Sequence, residues 1–142
     1  MNVVDVNVLV ALARADHPHH ASATAWFTAS LAEGTPFSAP DFVEAGFVRV
    51  VTNRRFWAPM PLDAVFEFLE AFRAQPGYVT WVTSPHTSEI FKQLSLDLGV
   101  SGPRSSDLFI AALAAAYGAR VVTFDRDFRA FDGVDVTELQ RR

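Results

Sequence analysis

The stretch from Met1 to Leu12 constrains this chain most. Val3 and Val4 open an apolar, β-branched run of the kind buried on both faces of a parallel sheet. Asp5 interrupts it. A carboxylate is rarely buried unless it is paired or bound to a metal. Asp5 therefore stands either at the exposed C-terminal end of the strand or in a charged site there. Asn7 is placed to cap a helix through Val8 to Leu12. A strand, an acid and a helix start, in that order, is how open α/β sheets build ligand sites at the carboxyl ends of their strands.

A chain of 142 residues that is 50% hydrophobic and 13% aromatic has enough apolar surface for one globular domain, expected over 1–142. No apolar run is long enough to span a membrane and no basic segment precedes one, so a cytoplasmic protein is expected. Without cysteine there is no disulfide framework, thiolate nucleophile or Cys-bound zinc. A net charge of −4 gives no global attraction for nucleic acid, so a phosphate-bearing substrate would need local arginines or a metal. The cations are eleven arginines and Lys92, and arginine suits bidentate phosphate contact.

His17, His19 and His20 lie just before a helix expected from about Ala21 to Glu33. Their spacing is not the i, i+4 pair of a helical zinc site, so they read as solvated. Strands are expected at Thr35–Ala39, Tyr78–Val82, Arg120–Phe124 and near Val134–Val136. In a helix from Asp41 to Thr52, Glu44 shares its stripe with Phe47, Val48 and Val51. That places a carboxylate on an apolar face, with a capping box from Asp41 as the local alternative. The Asn53–Pro61 loop mixes Arg54 and Arg55 with Phe56, Trp57 and Met60, a composition that suits a partner contact. Helical segments follow at Leu62–Phe72 and His86–Leu98. Leu108 to Tyr117 has no polar face and should be a buried helix, with Asp107 in its first turn.

Together the acids carry more than they do singly. Asp5 and Asp125 end two expected parallel strands, Asp107 begins the helix before the second, and Glu44 faces the core. Crossover connections put such strand ends on one edge of the sheet. Carboxylates crowded there cannot all stay ionised without a cation, and an oxygen-rich site selects Mg²⁺ or Mn²⁺.

Four motifs resemble the PIN domain, and more closely the VapC-type toxins of bacterial toxin–antitoxin pairs. They are Val-Val-Asp-Val-Asn-Val-Leu-Val at 3–10, Glu-Ala-Gly-Phe-Val-Arg-Val-Val-Thr-Asn at 44–53, Asp-Leu-Phe-Ile-Ala-Ala-Leu-Ala at 107–114 and Gly-Ala-Arg-Val-Val-Thr-Phe-Asp-Arg-Asp-Phe at 118–128. The resemblance implies a three-layer α/β/α sandwich with a parallel five-stranded sheet in the order 3-2-1-4-5. It also implies a Mg²⁺- or Mn²⁺-dependent ribonuclease, a homodimer silenced by a cognate antitoxin. By position, Asp5 and Asp107 match metal-holding aspartates, Glu44 the acid of the third helix and Asp125 a fourth acid that shares the metal. Asn7 and Thr123 match supporting residues, and Asp127 stands close enough in sequence to share or replace the role of Asp125. Arg49, Arg54, Arg55 and Arg104 are the candidates for RNA phosphates. The alternative is a catalytically silent scaffold that binds RNA or protein. A phosphohydrolase with an aspartyl nucleophile is disfavoured, because its second Asp would fall at Asn7 and no phosphate-cradling glycine loop is present.

Overall fold

The computed structural model describes residues 1–56 and 58–141. Trp57, the largest side chain of the expected partner loop, lies outside the described residues. Four short strands, β1 (Asn2–Val4), β2 (Phe37–Ser38), β3 (Arg120–Thr123) and β4 (Val136–Glu138), form one parallel sheet in the order β2-β1-β3-β4. Val3 and Val4 point to opposite faces and both are fully buried, as are Val121 and Val122 beside them. Both faces of the sheet are therefore covered, which is why these strands read as unbroken apolar runs.

The expected five-stranded sheet in the order 3-2-1-4-5 is corrected: among the described residues the sheet has four strands, in the order β2-β1-β3-β4. The segment expected as a third strand makes one parallel bridge, Tyr78 to Phe37. Val79 N–H donates to Phe37 O at 2.9 Å, but the Val79 carbonyl then accepts from the Ser38 hydroxyl at 2.6 Å. With that carbonyl taken by a side chain the ladder stops, and Val82 is left 71% exposed.

Among the described residues six α-helices complete the fold: α1 (Val6–Ala13), α2 (His20–Glu33), α3 (Asp41–Thr52), α4 (Leu62–Arg73), α5 (Thr87–Leu98) and α6 (Ser105–Ala115). α6 is buried along Leu108 and Ile110 to Ala114, as its lack of a polar face requires. It leads into β3 through Gly118, whose φ of 62° suits a residue without Cβ. Phe27, Phe37, Phe72 and Tyr78 gather edge-on and stacked at 5.1 to 6.0 Å, closing the core between α2, α4 and β2. Among the described residues no helix is long and apolar enough to cross a membrane.

Candidate active site at the carboxyl edge of the sheet

Because β1 and β3 are parallel neighbours, their carboxyl ends deliver Asp5 and the Thr123–Asp125 segment side by side. Only Asp5 separates β1 from α1, and it serves both. Its Oδ1 accepts from Val6 N–H at 2.7 Å, so Asp5, not Asn7, caps α1. Its Oδ2 accepts from the Thr123 hydroxyl at 2.7 Å. The same hydroxyl oxygen accepts from Asn7 Nδ2 at 3.2 Å and from Asp125 N–H at 2.9 Å. Asn7 Oδ1 accepts from Phe124 N–H at 3.2 Å, so Asn7 ties the end of β3 to α1. A fully buried Thr123 therefore fixes the rotamer of a buried aspartate through a satisfied network.

The electrostatics are those of an anionic site short of counter-charge. Burial raises the Asp5 pKa, the Thr123 and Val6 hydrogen bonds oppose this, and the charge of Asp125 adds to it. The Asp107 pKa is pushed up to about 6, first by burial and then by Asp5 and Asp125, with Arg104 acting the other way. Asp107 thus reaches the Asp5–Asp125 pair from the first turn of α6. Asp127 contributes least to this crowding. It is exposed and pairs with Arg104, whose Nη2 donates to the Asp127 carbonyl at 3.1 Å. Three aspartates of one sign and oxygen-only chemistry are the donors that a hard divalent cation takes. The carboxylates sense one another without converging: among the described residues no three acids or histidines form a ready-made metal cage.

A cleft runs over Asp5, Val6 and Asp107. On the α3 side it encloses about 530 Å³ and is lined by Phe42, Gly46, Arg49 and Ser106. On the other side it encloses about 350 Å³ and is lined by Asn7, Val10, His17, Val50 and Phe56. α3 approaches α1 so closely that a Cβ on Gly46 would stand 2.9 Å from Val6 Cγ2, which explains a glycine inside a helix.

Glu44 does not join this group. The capping box is not formed, and α3 begins after Pro40 with no side-chain cap. The Glu44 carboxylate turns to α4, where Arg73 Nε donates to Oε1 at 2.9 Å and Arg73 Nη2 pairs with Oε2. The apolar stripe expected to aim Glu44 at the site instead buries Val43, Phe47 and Val51, and Glu44 lines neither side of the cleft. Arg104 is likewise engaged, with Asp127 and over the Phe131 ring at 5.3 Å. Arg54 and Arg55 are exposed on the 53–61 loop. Arg14 holds that loop, donating to the Ala58 carbonyl and lying 5.3 Å from the Phe56 ring centroid. Sequence reasoning missed Gly46, whose signal is a glycine in the middle of a helix, and Phe56 as a cleft wall. It also took the histidines for solvated residues. All three are partly buried: His17 lines the cleft, His19 stacks on Phe124 at 5.0 Å, and His20 Nδ1 lies 2.8 Å from the Ala11 carbonyl.

Comparison with known proteins agrees with this architecture. The PIN domain family model matches residues 3–134. Ribonuclease VapC25 of Mycobacterium tuberculosis is 38% identical over 135 residues, covering 94% of this chain and 95% of that protein. The fold is also similar to a chain in the crystal structure of VapBC2 from Rickettsia felis bound to a promoter DNA fragment. There the TM-score is 0.75 at 16% identity, covering 98% of each chain. A chain of VapBC-5 from Mycobacterium tuberculosis, a member of the VapBC family of toxin–antitoxin systems, aligns with a TM-score of 0.54 at 20% identity, covering 98% of this chain and 97% of that one. The sequence match spans nearly the whole length of both proteins, and the chain belongs to the PIN-domain family, in its VapC group.

Proposed function

We propose that this chain is a divalent-cation-dependent endoribonuclease and the toxin of a toxin–antitoxin pair. The observation that carries this reading is that Asp5 and Asp107 line the floor of an open cleft within range of the Asp125 charge, with the Asp107 pKa pushed up to about 6, first by burial and then by those two acids. The ribonuclease name of VapC25 and the toxin–antitoxin membership of VapBC-5 support the substrate and the biological role.

Asp5, Asp107 and Asp125 would hold Mg²⁺ or Mn²⁺. When bound, such an ion supplies Lewis acidity toward the phosphodiester and counter-charge for the three acids. Thr123 and Asn7 orient Asp5 and the backbone of Asp125. Asp125 is preferred to Asp127 as the third donor, because both Asp5 and Asp107 feel its charge. Arg49, which lines the cleft with Asp5 and Asp107, would bind a phosphate beside the acids. Arg54 and Arg55 meet the strand farther out, and Arg104 serves chiefly to hold the Asp127 turn. Glu44 clamps α3 to α4. Leu62 and Phe66 on α4 and Leu96 on α5 are exposed apolar side chains of the kind that an antitoxin or a second copy of this chain would cover.

The test is RNA digestion by the parent and Asp5→Asn, with Mn²⁺, Mg²⁺ or EDTA. Cleavage by the parent with metal alone supports the reading. RNA binding without cleavage in every condition replaces the enzyme with a binding module.

A further inference from the structure

The two sides of the cleft differ in chemistry. The larger carries Arg49 and Ser106. The smaller has no arginine or lysine among its described lining residues; its walls are Val10, Val50 and Phe56, with His17 at the edge. A phosphate placed there would meet carboxylates and hydrocarbon, and the guanidinium behind the Phe56 wall, that of Arg14, is already engaged by Asp16 and the Ala58 carbonyl. An uncharged planar ring suits it: single-stranded RNA is read by apolar and aromatic walls with a few polar contacts to base edges.

His17 supplies such a contact. Its Nδ1 accepts from His19 N–H at 3.0 Å. A neutral imidazole whose Nδ1 accepts carries its proton on Nε2, so the other nitrogen is a donor. Burial, and next the neighbouring His19, lower the pKa of His17, which keeps the ring neutral at pH 7. The ring is also braced: His17 meets His19 edge-on at 5.4 Å, and His19 stacks on Phe124 at the end of β3. The opposite wall is held too, because the Arg14 guanidinium lies over Phe56.

Resting on the ribonuclease reading above, we infer that His17, Val10, Val50 and Phe56 form a subsite for one unpaired nucleobase of the RNA, adjacent to the phosphodiester that is cut. His17 Nε2–H donates to the edge of that base, while Arg49 takes the phosphate on the other side of the acids. The track across the cleft is then phosphate, reaction centre, base. The enzyme's base preference at that nucleotide arises here.

The probe is a single-stranded RNA pool with randomised positions, digested with Mn²⁺, with the ends sequenced. The parent should prefer particular bases at one nucleotide beside the cut. His17→Ala should flatten that preference, leave other positions as they were and raise KM roughly tenfold, the value of one base contact. His17→Gln, which keeps a donor, should restore part of it. A preferred RNA made abasic at that nucleotide should lose the same factor with the parent, and His17→Ala should lose nothing further on it. A parent without preference, an unchanged profile in His17→Ala, or a second full loss on the abasic RNA overturns the subsite. If His17→Ala fails to fold, Phe56→Leu and the abasic series on the parent decide, and full-rate cleavage of every abasic RNA overturns it. A parent that cuts no RNA with any divalent ion sinks the ribonuclease reading itself, and the subsite falls with it.

Discussion

Asp107 and Glu44 start from the same place. Each is a carboxylate in the first turn of a helix, where the helix dipole favours an anion. Their surroundings then part. The Glu44 side chain is 12% exposed and meets Arg73 through both carboxylate oxygens. Asp107 is partly buried and feels the charges of Asp5 and Asp125, and burial first and those charges next raise its pKa to about 6. A shared helix position therefore does not make a shared role. Glu44 has a guanidinium at hydrogen-bond distance, supplied by α4, whereas Asp107 has no such partner among the described residues and faces burial and two like charges.

The largest effect should come from removing charge at the site. Asp5→Asn and Asp107→Asn should each lower kcat for metal-dependent RNA cleavage by roughly a hundredfold to a thousandfold, the scale of losing one preorganised electrostatic contact. Glu44→Gln should cost less than about tenfold, acting only through the fit of α3. Circular dichroism controls for folding. If Glu44→Gln were as silent as Asp107→Asn with its fold intact, the separation of the two carboxylates would be broken.

Metal comes next. An ion that binds only the folded state stabilises by about 2.7 kcal/mol at a hundred times its Kd. Thermal melts with Mn²⁺ or Mg²⁺ against EDTA should show the parent rising by roughly 5 to 10 °C. Asp107→Asn should lose most of that rise and Glu44→Gln should keep it. Equal midpoints for the parent with and without metal would remove the cation from the site.

The Glu44–Arg73 pair should matter to stability more than to chemistry. Arg73→Met leaves a largely buried carboxylate without its partner and should cost about 1 to 2 kcal/mol in urea unfolding. Combining it with Glu44→Gln should cost less than the sum of the two single changes, because both remove one contact. Full additivity would mean that the pair does not clamp α3 to α4.

These expectations show what was legible in the sequence. Asp5 and Asp125 could be placed because each follows a short strand built on paired buried valines, and the edge where parallel strands end is set by their direction. Asp107 could be placed from the all-apolar helix it begins. Glu44 misled because its stripe shows which way a helix faces the core, not which cation waits at the next helix. The Tyr78–Val82 run reads as a strand by composition, yet a single hydroxyl, that of Ser38, ends its ladder. His17 was unreadable because its place depends on how the chain after α1 returns to the cleft that Asp5 lines, a proximity made by geometry and not by spacing.

The smallest effect is in the pH dependence of the metal-free protein, and it belongs to Asp107. The folded-state pKa of Asp107 is raised to about 6, above the ordinary carboxylate value of the unfolded chain. Folding therefore favours protonated Asp107. Its contribution to stability is complete below about pH 4 and is lost as the pH rises through 6. Asp5, also raised by burial, acts in the same direction. In EDTA, Asp107→Asn should be more stable than the parent at pH 7 by about 1 kcal/mol, a figure reduced for the half-exposed position of Asp107. The two proteins should converge toward pH 4, and urea unfolding at pH 4, 5, 6 and 7 would follow the difference. Saturating Mn²⁺ should reverse the order at pH 7, because the cation favours the charged form that the asparagine cannot take. A parent with no such slope would mean that the three aspartates do not press on one another. If Glu44→Gln removed the slope instead, the two first-turn carboxylates would have exchanged roles, with Arg73 then guarding the reactive one.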